Sequence, residues 1–328
     1  MNKLSTIICP HFGVCSGCTT NDLPPIWQEM KQFFGDIALE VGVTKAWRIK
    51  AKLAVSGSQM GLYRARSHDV VPIPDCHAHH PSINKAVSLL KGIPLQYIQC
   101  FVDLVTEKVQ LVLSVKDQVP TIPKSDLWHS VWLNTKPESN RILSNQWTHL
   151  SGEPFLWQKL GGRTFPFHPG AFAQAHWTLF EKLALQVVDW VPPNSRLLEL
   201  YAGIGIMGVL AAPKCAFVAL IENNPYAHLS FKALNLPIPY HLIDAKDADL
   251  QNADCLILDP PRKGLDPALL NKLKTFSGTI IYVSCDFNSF VRDATALMEA
   301  GWAIDKAKGY LLFPGTNHVE TIARMEKL

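Results

Sequence analysis

Leu197-Leu198-Glu199-Leu200-Tyr201-Ala202-Gly203-Ile204-Gly205-Ile206 is the stretch that decides the fold. Its apolar run reads as a buried strand. Gly203 and Gly205 then allow a tight turn that brings backbone close to a ligand before a helix begins. Glu222 closes the next apolar run, about 20 residues on, where a carboxylate can accept hydrogen bonds from both hydroxyls of a ribose. The plainer reading is a tight turn followed by a solvated strand end.

Working outward, the chain after Pro169 alternates helix and strand patterns. Helices are expected over 177–188, after Gly205, and over 225–234, 267–273 and 289–300. Strands are expected over 196–200, 217–221, 255–258 and 279–283, with a closing pair near 303–310 and 318–324. Near-continuous apolar strands separated by helices predict a parallel sheet buried on both faces. From 45 to 164, short alternating apolar runs broken by turn residues predict an antiparallel β-rich region with one helix near 83–90. Residues 1–25, rich in Cys, Gly, Thr and Pro, show little period and need an external tie, and 28–39 is a helix candidate. The expected class is α/β: a Rossmann-like domain at 169–328, a β-rich central domain at 41–168 and a cysteine-rich arm at 1–40.

The length of 328 residues excludes a single small module, and 48% hydrophobic with 18% charged residues excludes disorder. No apolar run approaches the roughly 20 residues of a membrane span, and the first residues lack the apolar core of a signal peptide, so a soluble cytoplasmic protein is expected. Eight cysteines without a secretion signal argue against a disulfide framework. There are 18 basic against 14 acidic residues up to Trp190 and 13 against 14 beyond it, so the basic excess lies in the first part.

The glycine turn and Glu222 suit both nicotinamide-dependent dehydrogenases and S-adenosylmethionine methyltransferases, so other motifs must choose. Asp259-Pro260-Pro261-Arg262-Lys263-Gly264 follows an apolar strand and places a proline-fixed acid at the sheet's carboxyl edge, although a Pro-Pro pair is ordinarily only a strand terminator. Ile280-Ile281-Tyr282-Val283-Ser284-Cys285 puts a cysteine at the same edge, where plain core is the competing reading. Phe313-Pro314-Gly315-Thr316-Asn317-His318-Val319-Glu320 sets an acid at an apolar strand start, or else is an ordinary turn.

Together, Gln174, the Glu199–Gly205 turn, Glu222, the Asp-Pro-Pro-Arg-x-Gly run, Tyr282–Cys285 and His318–Glu320 resemble the RNA uracil-5 methyltransferases that form 5-methyluridine. Cys9, Cys15, Cys18 and the distant Cys76 resemble the [4Fe-4S] site of the family's ribosomal RNA branch, which extends the likeness over nearly the whole chain. Such a cluster would be the tie the arm needs. Zinc is the competing reading, favoured by His77, His79 and His80 beside Cys76, though loop histidines are more often solvated.

The resemblance implies S-adenosylmethionine as methyl donor, Cys285 as the nucleophile that adds to C6 of uracil and Glu320 as the base that removes the C5 proton, with His318 orienting it. It implies further that Gln174, Tyr201, Gly203, Gly205, Ile206, Glu222, Asp244 and Asp259 bind the cofactor, with Asp259 also reading the uracil edge. The family's Phe-Phe-Gln-x-Asn pattern reads here Phe172-Ala173-Gln174-Ala175-His176, and Ile49 and Leu311 replace a usual asparagine and aspartate.

No acid occurs from Val41 to His68, while Lys45, Arg48, Lys50, Lys52, Arg64 and Arg66 are basic; a phosphate-binding strip with Trp47 and Tyr63 as stacking surfaces is the functional reading, a solvated sheet face the plain one. Arg262 and Lys263 are expected at displaced phosphates. The partner expected is RNA, 23S ribosomal RNA by the cluster cysteines, with tRNA, a silent RNA-binding protein and a dehydrogenase as alternatives. Nothing demands a membrane or an obligate protein partner. Because the chain begins at the cysteine run, it is expected to lack the additional amino-terminal RNA-binding barrel of some relatives.

Overall fold

The computed structural model describes residues 6–116, 119–135 and 143–328, so 1–5 of the expected arm and 117–118 and 136–142 of the expected central domain lie outside the described residues. The cysteine-bearing segment leads into helix α1 (Ile26–Phe34) and strand β1 (Ala38–Val41). The helix stops earlier than its apolar pattern suggested because Gly35 takes φ +78, a left-handed conformation that glycine adopts without a Cβ clash. Trp27 and Met30 bury its inner face.

Strands β2 (Lys50–Ser56), β3 (Gln59–Tyr63) and β4 (Val70–Pro72), helix α2 (Pro81–Leu89), then β5 (Tyr97–Val102), β6 (Val109–Val115), β7 (Trp128–Thr135) and β8 (Trp147–Gly152) form the central region. Its seven strands are ordered β4-β3-β2-β5-β6-β7-β8. The pairs are antiparallel as expected except β6–β7, which is parallel. The long 116–127 connection explains this, since a chain needs about a dozen residues to return along the same direction. A hairpin of β9 (Leu156–Leu160) and β10 (Arg163–Phe167) follows.

The rest of the chain alternates as the sequence predicts, with β13 added to the expected strands: α3 (Trp177–Trp190), β11 (Arg196–Leu200), α4 (Ile206–Ala211), β12 (Phe217–Glu222), α5 (Pro225–Lys232), β13 (Tyr240–Leu242), β14 (Cys255–Leu258), α6 (Pro267–Thr275), β15 (Thr279–Ser284), α7 (Phe287–Met298), β16 (Trp302–Leu311) and β17 (Glu320–Lys327). The eight-stranded sheet has the order β1-β16-β17-β15-β14-β11-β12-β13. The fold is α/β and Rossmann-like, preceded by the β-rich region. β1 pairs in parallel with β16, so the expected boundary at residue 40 falls within a strand of this sheet.

Parallel strands β11, β12, β14 and β15 all end on one edge, which delivers Tyr201, Glu222, Asp259 and Cys285 there. β17 runs antiparallel to β15 and so begins on that edge, with Thr321 opposite Ser284 and Glu320 just outside the pair. Asn224, Asp266 and Asp286 each cap the helix that leaves this edge.

Asp293 on α7 fastens the Asp259–Gly264 turn. Its side chain is fully buried and accepts hydrogen bonds from Leu265 N (2.7 Å), the Tyr282 hydroxyl (2.8 Å) and the Arg292 guanidinium (2.6 Å to Nη2). Replacing it with alanine would leave buried donors unpaired. Asp293→Ala is therefore expected to destabilise the protein by roughly 3 kcal/mol or more, read from the urea midpoint; an unchanged midpoint would show that the turn is held otherwise.

Candidate active site

The glycine turn is wound through three left-handed residues: Tyr201 (φ 58), Gly203 (φ 55) and Gly205 (φ 79). A tyrosine at positive φ is strained, a condition that persists only where surroundings enforce it. Two contacts do so on Gly203, whose N–H donates to Glu222 Oε2 (2.9 Å) and whose carbonyl accepts from the Tyr240 hydroxyl (2.7 Å). Glu222 Oε1 accepts from the amides of Asn223 and Asn224 (2.9 and 2.8 Å), so this carboxylate ties the turn to the start of α5. At Gly205 a Cβ would lie 2.4 Å from Leu220 Cδ1, so packing as well as φ requires glycine.

The turn walls a pocket that also takes in Gln174, Ile206, Glu199 and Asp259. Glu199 is fully buried; its Oε2 accepts from Gly208 N at 2.7 Å, while Oε1 has no partner among the described residues. Burial pushes its pKa up to about 8, with Asp259 and Glu222 adding to the rise against the Gly208 bond. An unpartnered buried acceptor beside a glycine turn fits a ligand that brings hydrogen-bond donors. Asp244 does not line the pocket and instead accepts from Lys246 N (3.2 Å) at the head of a short turn.

Asp259, Cys285 and Glu320 share one electrostatic environment. Burial, then Glu320 and Asp259, push the Cys285 thiol up to about 11, with Arg262 pulling the other way. Burial, then Asp259, raise Glu320 to about 8, again opposed by Arg262. Burial and the Glu222 charge raise Asp259 to about 7. Arg262, expected at RNA phosphates, thus acts as the countercharge of this group. His318 is held below its usual range by burial and by Arg262, and among the described residues no hydrogen bond joins its ring to Glu320.

Beyond Gln174 opens a cleft of about 1500 Å³. Arg48, Lys50 and Lys52 line it with Trp147, Tyr226 and Phe313, and no acid does among the described residues. Phe172, Ala173 and Gln174 line both cavities and form the partition between them. Lys50 Nζ donates to Ala171 O at 2.9 Å, fastening this partition; burial, then Lys52, bring its pKa down to about 7. Phe172 is 66% exposed, an aromatic that sequence reasoning did not assign, and Trp147 and Tyr226 come from separate elements and carry no motif.

Two expectations need correction. Trp47 is not a stacking surface: it is 4% exposed, stacked on His176 at 5.2 Å with the Arg48 guanidinium 4.7 Å from its ring centre. His79 is not solvated but buried, and burial, then Arg48, push its pKa down to about 3.

Cys9, Cys15, Cys18 and Cys76 line one small cavity, with Arg48 and apolar walls from Ile7, Leu62 and Ile73. The His79 amide donates to the Cys76 carbonyl at 3.1 Å; burial raises the Cys76 thiol, and the backbone amides of His79 and Ala78 and the Arg48 charge oppose that rise. Among the described residues no group of three or more His, Cys, Asp or Glu side chains is arranged to hold a metal ion.

A family model described as tRNA (Uracil-5-)-methyltransferase matches residues 232–328. An uncharacterized RNA methyltransferase of Protochlamydia amoebophila is 34% identical, with 97% of each chain covered. The 23S rRNA (uracil(1939)-C(5))-methyltransferase of Vibrio parahaemolyticus is 24% identical over 97% of this chain and 81% of that protein. Among solved structures, the Pyrococcus abyssi tRNA (uracil-54, C5)-methyltransferase in complex with S-adenosyl-L-homocysteine shares the fold, with a TM-score of 0.82 at 22% identity, covering 95% of this chain and 86% of that one.

The charges around Cys285 set its reactivity. In Glu320→Gln, alkylation of Cys285 at pH 8.5, followed by peptide mass spectrometry, should be about 3- to 10-fold faster, as for a thiol pKa lower by half to one unit, and in Arg262→Gln slower. Equal rates in all three proteins would contradict the shared environment.

Proposed function

The chain belongs to the RNA uracil-5 methyltransferase family, and from that premise we propose that it methylates C5 of a uridine in 23S ribosomal RNA, with Cys285 as nucleophile and Glu320 as base. S-adenosylmethionine-dependent methylation of uracil C5 in RNA is the family's reaction. The observation that carries the finer reading is the β15–β17 pairing, Ser284 opposite Thr321, which brings Cys285 and Glu320 to one edge beside Asp259.

Uracil C5 is too weak a nucleophile to take a methyl group unaided. Cys285 Sγ adds to C6, giving its proton to a neighbouring carboxylate, and the ring becomes an enolate nucleophilic at C5. The cofactor, when bound, supplies an electrophilic methyl group to that carbon. Glu320 then takes the C5 proton, the Cys285–C6 bond breaks with its electron pair returning to sulfur, and 5-methyluridine is released. A carboxyl with a pKa near 8 binds that proton readily and is ionised in an increasing fraction as pH rises towards 8. Gln174 stands where the pocket meets the cleft and Asp259 lines the pocket, suited to orient methyl donor and base, while Tyr201, Gly203 and Ile206 line the pocket for the donor, Glu222 fixes the Gly203 turn and the family resemblance assigns Asp244, outside the pocket lining, to the adenosine end.

The uracil must leave its stack to reach Cys285, and the basic, acid-free cleft suits the displaced backbone. The exposed Phe172 offers an aromatic face to an unstacked base.

The four thiols support the ribosomal reading and a [4Fe-4S] cluster held by Cys9, Cys15, Cys18 and Cys76. The apolar wall of Ile7, Leu62 and Ile73 suits such a group, which would fix the arm. Anaerobically purified protein should contain about four irons and four sulfides per chain; zinc without sulfide would contradict this.

The substrate is tested by nucleoside mass spectrometry of 23S RNA and tRNA from cells with the protein, without it, and with only Cys285→Ala. We expect 5-methyluridine to be lost from 23S RNA in the last two. Loss from tRNA alone would move the reaction to tRNA, and no loss would favour a silent RNA-binding protein.

A further inference from the structure

The cysteine-bearing arm touches the loop that leads to Glu320. The backbone amides of Thr19 and Thr20 both donate to the Gly315 carbonyl, at 2.7 and 3.2 Å, and the Thr19 hydroxyl donates to the same oxygen at 3.4 Å. Gly315 has φ +86, and a Cβ there would lie 2.8 Å from Ile7 Cδ1, 3.2 Å from Cys18 Cβ and 3.4 Å from Cys18 Sγ. The arm is therefore pressed flat against this glycine.

The loop is stiff between that contact and Glu320. Thr316 N and its hydroxyl donate to the Phe313 carbonyl (3.1 and 2.8 Å), and His318 N donates to Thr316 Oγ1 (3.3 Å). The Phe313 ring sits edge-on to Trp47 at 6.0 Å, with the Arg48 guanidinium 5.9 Å from its centre. Arg48 lines the thiol cavity, so both holds on the loop start from the same wall. On the far side, Glu320 is fixed opposite Tyr310 in the β16–β17 register. The side chain of Glu320 is thus set from one end by the sheet and from the other by the arm.

We infer that the cysteine-bearing arm is a positioning element for Glu320: by gripping Gly315 it sets the loop from which Glu320 enters β17, so loosening the grip slows removal of the C5 proton more than RNA capture or adduct formation. The inference rests on the reading of Glu320 as base. Proton transfer tolerates little misplacement, because the base must stand within hydrogen-bond reach of the proton it takes. Whatever the thiols bind would hold Cys18, and through it Gly315, in place.

The test compares Gly315→Ala, which forces a side chain against Cys18, with Thr20→Pro, which removes one amide donor. Both are run beside wild type, Glu320→Gln and Cys285→Ala with a uridine-containing RNA and S-adenosylmethionine, and RNA-linked protein is read on denaturing gels. The two arm-contact variants should accumulate the linked species, with kcat lower by about 10- to 100-fold and KM for RNA within about twofold. Turnover like wild type, or loss of the linked species together with RNA affinity, would overturn the inference. So would unfolding of both variants, which would assign the contact to folding alone. If Glu320→Gln accumulates no linked species, the base assignment itself fails, an outcome read independently of the other two variants.

Discussion

One strand pairing governs the site. In a sheet whose neighbouring strands β11, β12, β14 and β15 run parallel, only an antiparallel strand can present its first residue at their carboxyl edge. β17 is that strand, and its register sets Thr321 against Ser284. The neighbours of that pair, Cys285 and Glu320, are therefore brought together by main-chain hydrogen bonds. A slip of one residue would turn Glu320 to the opposite face of the sheet. The residues buried on both sides of β15 and β17 resist such a slip.

The chemistry placed on that edge works against stability. Burial raises Glu199, Asp259 and Glu320 in this low-dielectric setting, and the Asp259 charge adds to the rise of Glu199, Glu320 and the Cys285 thiol. A carboxyl with a raised folded-state pKa holds its proton more tightly folded than unfolded. The stability it contributes is thus full below its unfolded value of 4.5 and is lost as pH climbs to about 8 for Glu320. Arg262 opposes this for both Cys285 and Glu320, and Asp293 anchors the turn that bears Arg262 through Leu265 and Arg292. Strain at Tyr201 belongs to the same pattern of local cost at a working site.

Most of the sheet was legible because its signals are local: apolar strands, a glycine turn, an acid after a strand. The edges on which Glu222, Asp259 and Cys285 fall follow from strand direction alone. What could not be read depends on distant partners. The pairing of β1 with β16 leaves no mark in the period of either strand, and the parallel β6–β7 pair is decided by its connection. Trp47 lies in a basic, acid-free stretch that looked like a surface, yet His176, far along the chain, covers it. Nothing local to Arg262 shows Cys285 and Glu320 beside it, so its sequence context points only to displaced phosphates. Phe172 stood within a motif whose flanking residues differ from the familiar pattern, and its exposure is visible only in the fold.

The central claim is a covalent bond between Cys285 and the target ring, with methylation at C5 while that bond stands. A 23S RNA fragment carrying 5-fluorouridine tests it most directly, because fluorine at C5 cannot be removed as a proton and the linked species persists. Digestion and mass spectrometry should find the Cys285 peptide joined to a methylated fluorouridine, only when S-adenosylmethionine is present. No linked peptide, or a link at another cysteine, would contradict the account.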